Sequence, residues 1–211
     1  FFENSTRTQA SFELAGRRLG ADVMNINTDL SSINKGETLL DTAVNLNAMR
    51  PDLIVLRHPY SGAVQLLSEK VNCSVINAGD GKHEHPTQAL LDALTIKRRK
   101  GRLHRLTIAI CGDITHSRVA RSNILLLGKM QNRIRLVGPT TLLPKDFINL
   151  GVEITPNIKD GLKDADVVMT DTFVSIHNTN SDRVKKFLPK FQVTQSLMNN
   201  AKKDAIFMHC L

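Results

Sequence analysis

Short apolar runs of strand length alternate with segments of helical periodicity along most of this chain. The apolar runs lie at 53–56, 74–77, 106–111 and 133–137, and polar turns or helix-like stretches separate them. Parallel strands need long crossover connections, usually helices, and strands covered on both faces read as continuous apolar runs. The pattern therefore predicts an α/β chain with doubly wound parallel sheets, whose ligands bind beyond the carboxyl ends of the strands.

The remaining segments complete two such units, and residues 101–105 predict the bridge between them. We expect a first domain over 1–100 and a second over 101–211. Both domains are expected to be truncated, because each end of the sequence falls close to a predicted element; this indicates a fragment of a longer protein. Further strands are predicted at 21–26, 152–154, 166–170 and 205–209, and helices at 37–49, 62–70, 85–100, 117–129 and around Leu197 and Met198.

The first stretch of the sequence has the features of a helix start that binds an anion. Ser5 or Thr6 is the predicted N-cap, and the free N–H groups and positive dipole of a helix start attract negative charge. Hydroxyls at Ser5, Thr6 and Thr8 and the guanidinium of Arg7 add donors suited to phosphate oxygens. The plain alternative is an ordinary capped helix with a surface arginine. An apolar stripe follows at helical spacing, formed by Phe12, Ala15 and Leu19.

Composition separates the possible classes of partner. The net charge of +8 is spread along the chain, with one basic cluster at 97–100, and the sequence has one Tyr and no Trp. Base-stacking platforms are therefore lacking, so we expect an anionic small substrate and no nucleic acid. No apolar run reaches the roughly 20 residues that a membrane span requires, so we expect no membrane association. Three widely spaced cysteines without a metal or disulfide pattern favour a reducing, cytoplasmic location.

A series of short motifs resembles the aspartate/ornithine carbamoyltransferase family. The run STRT at 5–8, followed by SFE at 11–13, is similar to the carbamoyl-phosphate-binding signature of that family. Further family motifs follow in the same order along the chain: KGETL at 35–39, RHP at 57–59, GDG at 79–81, HPTQ at 85–88 and HSR at 116–118. A lone HPTQ would be weak, but the ordered set is specific.

The resemblance implies a role for each matching residue. Arg7, Arg57 and His85 would be catalytic, contacting the phosphate and the carbonyl oxygen of carbamoyl phosphate, with Gln88 near the carbamoyl nitrogen. Lys35, with Ser31 or Ser32 nearby, would reach into the site of a neighbouring subunit, and Arg118 would bind a carboxylate of the amino acid. The substrate-binding set that the resemblance implies is Ser5, Thr6, Thr8, Ser31, Lys35, Gln88, Arg118, Asp171, Ser175 and Cys210.

The two ends of the chain resemble different branches of the family. Residues 1–169 are similar to the aspartate branch, whereas 170–211 are similar to the ornithine branch through Asp171, Ser175 and Cys210. Aspartate brings two carboxylates and requires cations, while ornithine brings a cationic tail that an acidic neighbour attracts. The chain could therefore be a hybrid, and the acceptor stays open on charge alone.

The resemblance implies transfer of the carbamoyl group of carbamoyl phosphate to L-aspartate, giving N-carbamoyl-L-aspartate and phosphate in pyrimidine biosynthesis. The alternatives are transfer to ornithine, giving citrulline, an inactive hybrid or fragment, and a phosphorylated-ligand sensor without turnover. The reaction requires no cofactor and no metal. The resemblance also implies a homotrimer with shared active sites.

Overall fold

The computed structural model describes residues 5–26, 38–171, 187 and 189–210. The chain divides into two compact units, residues 1–87 and residues 88–211. The predicted site residues Ser31, Lys35 and Ser175 lie outside the described residues. None of the helices in the described ranges combines the length and apolar composition that a bilayer crossing needs.

The elements follow one another largely as the sequence predicts. The helices are α1 (Thr6–Arg18), α2 (Leu39–Ala48), α3 (Ala63–Ser68), α4 (Pro86–Lys100), α5 (Arg118–Lys129), α6 (Ile158–Leu162) and α7 (Gln195–Met198). The strands are β1 (Leu53–His58), β2 (Ser74–Asp80), β3 (Thr107–Cys111), β4 (Arg133–Val137), β5 (Glu153–Thr155), β6 (Val167–Thr170) and β7 (Ile206–His209). Single 3₁₀ turns lie at Ile114–His116 and Thr140–Leu142, and a longer one at Lys145–Leu150.

The second unit is built on a five-stranded parallel sheet in the order β5-β4-β3-β6-β7. The order reverses beside β3, the first strand of the unit, which is the arrangement of a doubly wound sheet. Ile108 and Ile110 of β3 enter one hydrophobic cluster, while Ala109 and Cys111 enter another, as the alternation of side chains across a sheet requires. The predicted α/β class with parallel sheets is confirmed.

The first unit contains a parallel pair, β1 with β2, in register from Leu53 opposite Ser74. Its core forms where α2 and α3 cover these strands, and it comprises Ala43, Leu56, Val64, Leu67 and Val71. Helix α2 begins at Leu39, two residues later than predicted, because Thr38 and Asp41 form a capping box. Strand β2 continues beyond the predicted apolar run at 74–77, through Gly79 and Asp80 of the GDG motif.

Two predictions for the first residues are wrong. Residues 21–26 form no strand, and the side chain of Asn25 instead donates to Glu13 Oε2 of α1 at 2.7 Å. A strand needs a neighbour that completes its ladder of backbone hydrogen bonds, and alternation of side chains cannot supply one. Leu19 also does not extend the predicted apolar stripe of α1: Phe12 and Ala15 lie on the helix, but Leu19 is its C-cap and is 87% exposed.

An ion-pair cluster closes the amino ends of the central strands. Asp166, 2% exposed, accepts a hydrogen bond from the Thr107 backbone at 2.9 Å and from Lys202 Nζ at 2.8 Å, and Lys100 Nζ lies 4.0 Å away. Burial alone would raise the pKa of Asp166, but these hydrogen bonds and the two lysines lower it below its ordinary value. The carboxylate therefore stays ionised and joins α4 to the sheet.

Gly112 occupies a position where a side chain does not fit. Its φ of +144° is open to glycine, and a Cβ there would lie 2.7 Å from the backbone oxygen of Asp171. We expect Gly112→Ala to lower the free energy of unfolding by about 3 kcal/mol, because strain and overlap add. Gly151→Ala is the matched control: its φ is +77° with nothing within 4 Å of a Cβ, so only the backbone cost of about 1 kcal/mol applies. Urea denaturation of the two variants measures the difference, and equal losses would contradict the steric argument.

Candidate active site

Arg57 and His85, two of the predicted catalytic residues, lie in contact within the first unit. Arg57 Nη1 is 3.3 Å from His85 Nε2 and also donates to the carbonyl oxygen of Ala78 at 3.3 Å. Both side chains are buried, at 7% and 8% exposure. A guanidinium only donates, so Nε2 accepts in this contact and the ring proton is on Nδ1, which lies 3.4 Å from Thr87 Oγ1. The arginine therefore holds a fixed positive charge beside a histidine of defined tautomer.

The GDG motif positions this pair. The Asp80 carboxylate accepts hydrogen bonds from the Gly62 backbone at 2.9 and 3.1 Å and from His83 Nδ1 at 3.1 Å. Gly81 packs against residue Ser61 so closely that a Cβ would lie 2.4 Å from the Ser61 nitrogen. These contacts tie the loop after β1 to the turn before α4. The carboxyl end of β1 and the start of α4 are thereby fixed.

The predicted phosphate-binding residues occupy the first turn of α1. Ser5 is the N-cap, as predicted, but its hydroxyl donates to Thr8 Oγ1 at 2.8 Å and does not cap a backbone N–H. Thr6 and Arg7 are exposed. Within the part of the chain that the structure describes, no hydrogen bond joins Arg7 to Arg57 or His85. The role of this turn in phosphate binding stays a prediction.

A buried chain of two amides and one carboxylate runs from α4 to α5 in the second unit; we call it the amide–carboxylate chain. Gln88 Nε2 donates to Asp92 Oδ1 at 2.9 Å, and Asn123 Nδ2 donates to Asp92 Oδ2 at 2.8 Å. Asp92 is 5% exposed and Asn123 is fully buried. Burial raises the pKa of Asp92 above its ordinary value, the amide hydrogen bonds oppose that rise, and the charge of Asp171 adds to it. Sequence reasoning gave no role to Asp92 or Asn123; the spacing of four residues between Gln88 and Asp92 was the available signal.

Asp171 and Cys210, which the resemblance assigns to binding of the amino acid, lie together at the carboxyl ends of the strands in the second sheet. They line one cleft with Asn123 and apolar side chains of β3 and α5. Asp171 Oδ2 accepts a short hydrogen bond from the Ser117 hydroxyl, and Cys210 Sγ lies 3.7 Å from Asp171 Oδ1. We call Ser117, Asp171 and Cys210 the acidic cluster. It presents acceptor oxygens and a protonated thiol.

Arg118 begins α5, directly after the acidic cluster residue Ser117. Ser117 caps that helix by accepting from the Ala120 backbone at 2.8 Å. The Arg118 side chain is partly buried. The preceding 3₁₀ turn is fixed by Asp113, which accepts from the backbone of His116 at 3.2 Å and contacts its ring at 2.8 Å. The contacts of His116 with Asp113 give His116 a structural role. Arg118, two residues later, places a cation near this edge of the sheet.

Comparison with protein families assigns both halves of the chain. Residues 1–98 match the carbamoyl-P binding domain of aspartate/ornithine carbamoyltransferases, and residues 104–211 match the Asp/Orn binding domain of the same proteins. The chain belongs to the aspartate/ornithine carbamoyltransferase family. Among the residues described, no group of three or more His, Cys, Asp or Glu side chains is arranged to hold a metal ion.

Curated members of the family extend the match. The aspartate carbamoyltransferase catalytic subunit of Ruegeria pomeroyi is 62% identical over 214 residues, which cover 99% of this chain and 68% of the relative. The corresponding subunit of Paracoccus denitrificans is 73% identical over 169 residues, 80% of this chain and 53% of the relative. This carbamoyltransferase chain therefore spans about two thirds of the length of the Ruegeria pomeroyi relative.

Solved structures from both branches share the fold. Aspartate transcarbamoylase from Trypanosoma cruzi, in complex with carbamoyl phosphate and aspartate, is 34% identical with a TM-score of 0.87, covering 100% of this chain and 70% of that one. Ornithine carbamoyltransferase from Pyrococcus furiosus is 32% identical with a TM-score of 0.87, covering 99% and 69%. The fold alone therefore does not separate the two acceptors.

The environment of Cys210 makes it an unreactive thiol. Burial, and then the charge of Asp171, raise its pKa from an ordinary 9.0 to about 12, which lowers the thiolate fraction at neutral pH by about a thousandfold. We expect iodoacetamide to alkylate Cys210 of the native carbamoyltransferase chain at least 100-fold more slowly than Cys210 of the chain unfolded in urea, measured by mass spectrometry. Asp171→Asn should speed the native reaction, because it removes a negative charge that disfavours the thiolate. Equal rates for the native and unfolded chains would contradict the assignment.

Proposed function

We propose that this chain transfers the carbamoyl group of carbamoyl phosphate to the amine of L-aspartate, giving N-carbamoyl-L-aspartate and phosphate. The amine nitrogen forms a bond to the carbamoyl carbon, and the bond from that carbon to the phosphate oxygen breaks. The amine transfers a proton to the departing phosphate, which leaves with the electron pair of the broken bond. The buried contact of Arg57 with His85 carries the proposal, since it puts a fixed cation beside an imidazole, and these are the residues that the family resemblance assigns to the carbamoyl oxygen.

Electrostatic stabilisation supplies the catalysis in this proposal. An oxyanion develops on the carbamoyl carbonyl as the amine attacks, and the Arg57 guanidinium is held in place by His85 and the Ala78 carbonyl before the reaction starts. Donors that need no reorganisation stabilise such charge most effectively. Ser5, Thr6, Arg7 and Thr8 hold the phosphate, and Gln88 contacts the carbamoyl nitrogen. The exposed Thr6 and Arg7 in the first turn of α1 support the first assignment.

Aspartate is the acceptor that the relatives favour. The curated relatives at 62% and 73% identity are named aspartate carbamoyltransferase catalytic subunits, and the Trypanosoma cruzi enzyme is seen with carbamoyl phosphate and aspartate. Arg118 binds a carboxylate of the amino acid. The second candidate is ornithine, which one observation favours: the acidic cluster offers Asp171 and Cys210 to a cationic amine.

The family also supports the organisation of the whole protein. The boundary between the family's two domains lies between residues 100 and 101, which is supported by family matches that end at 98 and begin at 104, although the compact units of the structure divide at residue 88. The chain works as a homotrimer with shared sites, to which Lys35 and Ser31 contribute from a neighbouring subunit. It acts in the cytoplasm, in pyrimidine biosynthesis; three free cysteines are consistent with a reducing compartment.

Removal of either side chain of the buried pair tests the mechanism. We expect Arg57→Ala and His85→Ala to lower kcat/KM for carbamoyl transfer on the order of 100-fold or more, the usual effect of losing one oxyanion donor. Arg98→Ala and His104→Ala, at exposed positions of matched residue type, should keep wild-type rates. Circular dichroism at the assay temperature confirms that each variant is folded. Full activity in both of the first two variants would reject the assigned roles.

An assay with radiolabelled carbamoyl phosphate tests the acceptor. We expect aspartate to be carbamoylated and ornithine to give less than about 1% of that rate, because exchanging a carboxylate for a cation in a charged pocket costs several kcal/mol. Labelled citrulline as the main product would establish the second candidate. Binding of the label without any product would instead establish a sensor or an inactive chain.

A further inference from the structure

We infer that Asp92 is a positioning residue, which sets the orientation of the Gln88 amide so that its oxygen faces the carbamoyl nitrogen of the donor substrate. The inference rests on the proposed function, in which Gln88 contacts that nitrogen. It adds that the buried Asp92 carboxylate of the amide–carboxylate chain determines which end of the Gln88 amide faces the ligand.

Each oxygen of Asp92 is occupied by a different amide. Gln88 Nε2 donates to Oδ1 at 2.9 Å from one turn earlier on α4, and Asn123 Nδ2 donates to Oδ2 at 2.8 Å from α5. The carboxylate is 5% exposed, so losing either donor would be costly, because water cannot readily take its place. The side chain of Asp92 is therefore fixed from two helices.

An ionised carboxylate only accepts hydrogen bonds, whereas a side-chain amide both donates and accepts. Gln88 must therefore present its nitrogen to Asp92, and its oxygen points away from Asp92 on the other side of the planar amide. The Gln88 oxygen can therefore only accept a hydrogen bond from a ligand. An –NH₂ group on the ligand donates to it, whereas a methyl group of similar size leaves it without a hydrogen bond.

A second hydrogen bond fixes the orientation of the Asn123 amide, so the effect of Asp92→Asn on its neighbours can be predicted. Its Nδ2 also donates to the Val119 carbonyl at 3.2 Å. In Asp92→Asn the new amide therefore presents its oxygen to Asn123 and its nitrogen to Gln88. Gln88 must then turn its own oxygen toward position 92 and its –NH₂ toward the ligand, where it meets another donor.

Two stable phosphonates read out this polarity directly. Phosphonoacetamide carries the –C(O)NH₂ group, and 2-oxopropylphosphonate replaces its –NH₂ with a methyl group. We expect calorimetry to show that the wild-type chain binds the amide about tenfold more tightly, the value of one buried hydrogen bond. The ratio of the two dissociation constants should fall to about 1 in Asp92→Asn and in Gln88→Ala.

A double-variant cycle separates positioning from a structural role. Adding Asp92→Asn to Gln88→Ala should leave the ratio unchanged, because Asp92 acts through Gln88. Adding Asn123→Asp to Asp92→Asn should restore much of the tenfold preference, since the new carboxylate draws the amide nitrogen at position 92 and returns its oxygen to Gln88.

Asp166→Asn, which changes a buried carboxylate at the opposite ends of the strands, should lower Tm and keep the tenfold ratio. If Asp92→Asn does not fold, Asp92→Ser replaces it and should lower the ratio to below 3.

The outcomes distinguish this inference from the proposed function. Binding of both phosphonates with equal affinity by the wild-type chain would overturn the inference and leave the phosphorylated-ligand site intact. A ratio that stays at tenfold without Asp92, or that falls further when Asp92→Asn is added to Gln88→Ala, would also overturn it. Failure of the wild-type chain to bind either compound would overturn the proposed function and the inference with it.

Discussion

Close backbone contact at the carboxyl ends of β3, β4 and β6 determines where the side chains of the second unit can lie. The hydrogen-bonded ladder continues past the strands, with Gly112 N–H donating to the Val137 carbonyl at 2.9 Å and Asp171 N–H to the Cys111 carbonyl at 2.8 Å. A Cβ at Gly138 would lie 2.5 Å from the oxygen of Gly112. Because the segments leave the sheet this tightly packed, Asp171 follows β6 directly into the cleft that Cys210 and Asn123 share.

The candidate site residues of the two units differ in charge. In the first unit the buried pair ends in a guanidinium, which can only donate and keeps its charge at any physiological pH. In the second unit the Gln88 and Asn123 amides donate to the Asp92 carboxylate, and the Ser117 hydroxyl donates to Asp171. A reaction between an anionic donor and an amine uses both cationic and acidic groups. Each unit also holds a buried group of the other kind, namely Asp80 in the first unit and Lys100 in the second.

The sequence predicted the strands of the second unit to within one or two residues, because a strand buried on both faces is a continuous apolar run. It failed at 21–26, where alternating residues had no neighbouring strand. The structure brings Arg57 beside His85 and Asp171 beside Cys210, as expected for residues near the carboxyl ends of parallel strands, which meet at one edge of a sheet. Their roles with substrate stay predictions. The contact of Asp92 with Asn123 escaped prediction because it joins two helices across residues 92 and 123, and no local spacing encodes such a contact.

Helix α4 is held at both ends by polar contacts of different kinds. Gln88 and Asp92 lie near its start, and Lys100 at its last residue bonds Asp204 and reaches Asp166 at the amino ends of the central strands. One extra residue between Asp92 and Lys100 would rotate Lys100 by about 100° around the helix axis. The buried lysine would then lose its contacts with the carboxylates of Asp166 and Asp204. Substitutions on the exposed face of α4 therefore leave both sets of contacts in place, whereas an insertion or deletion between Gln88 and Lys100 would break one of them.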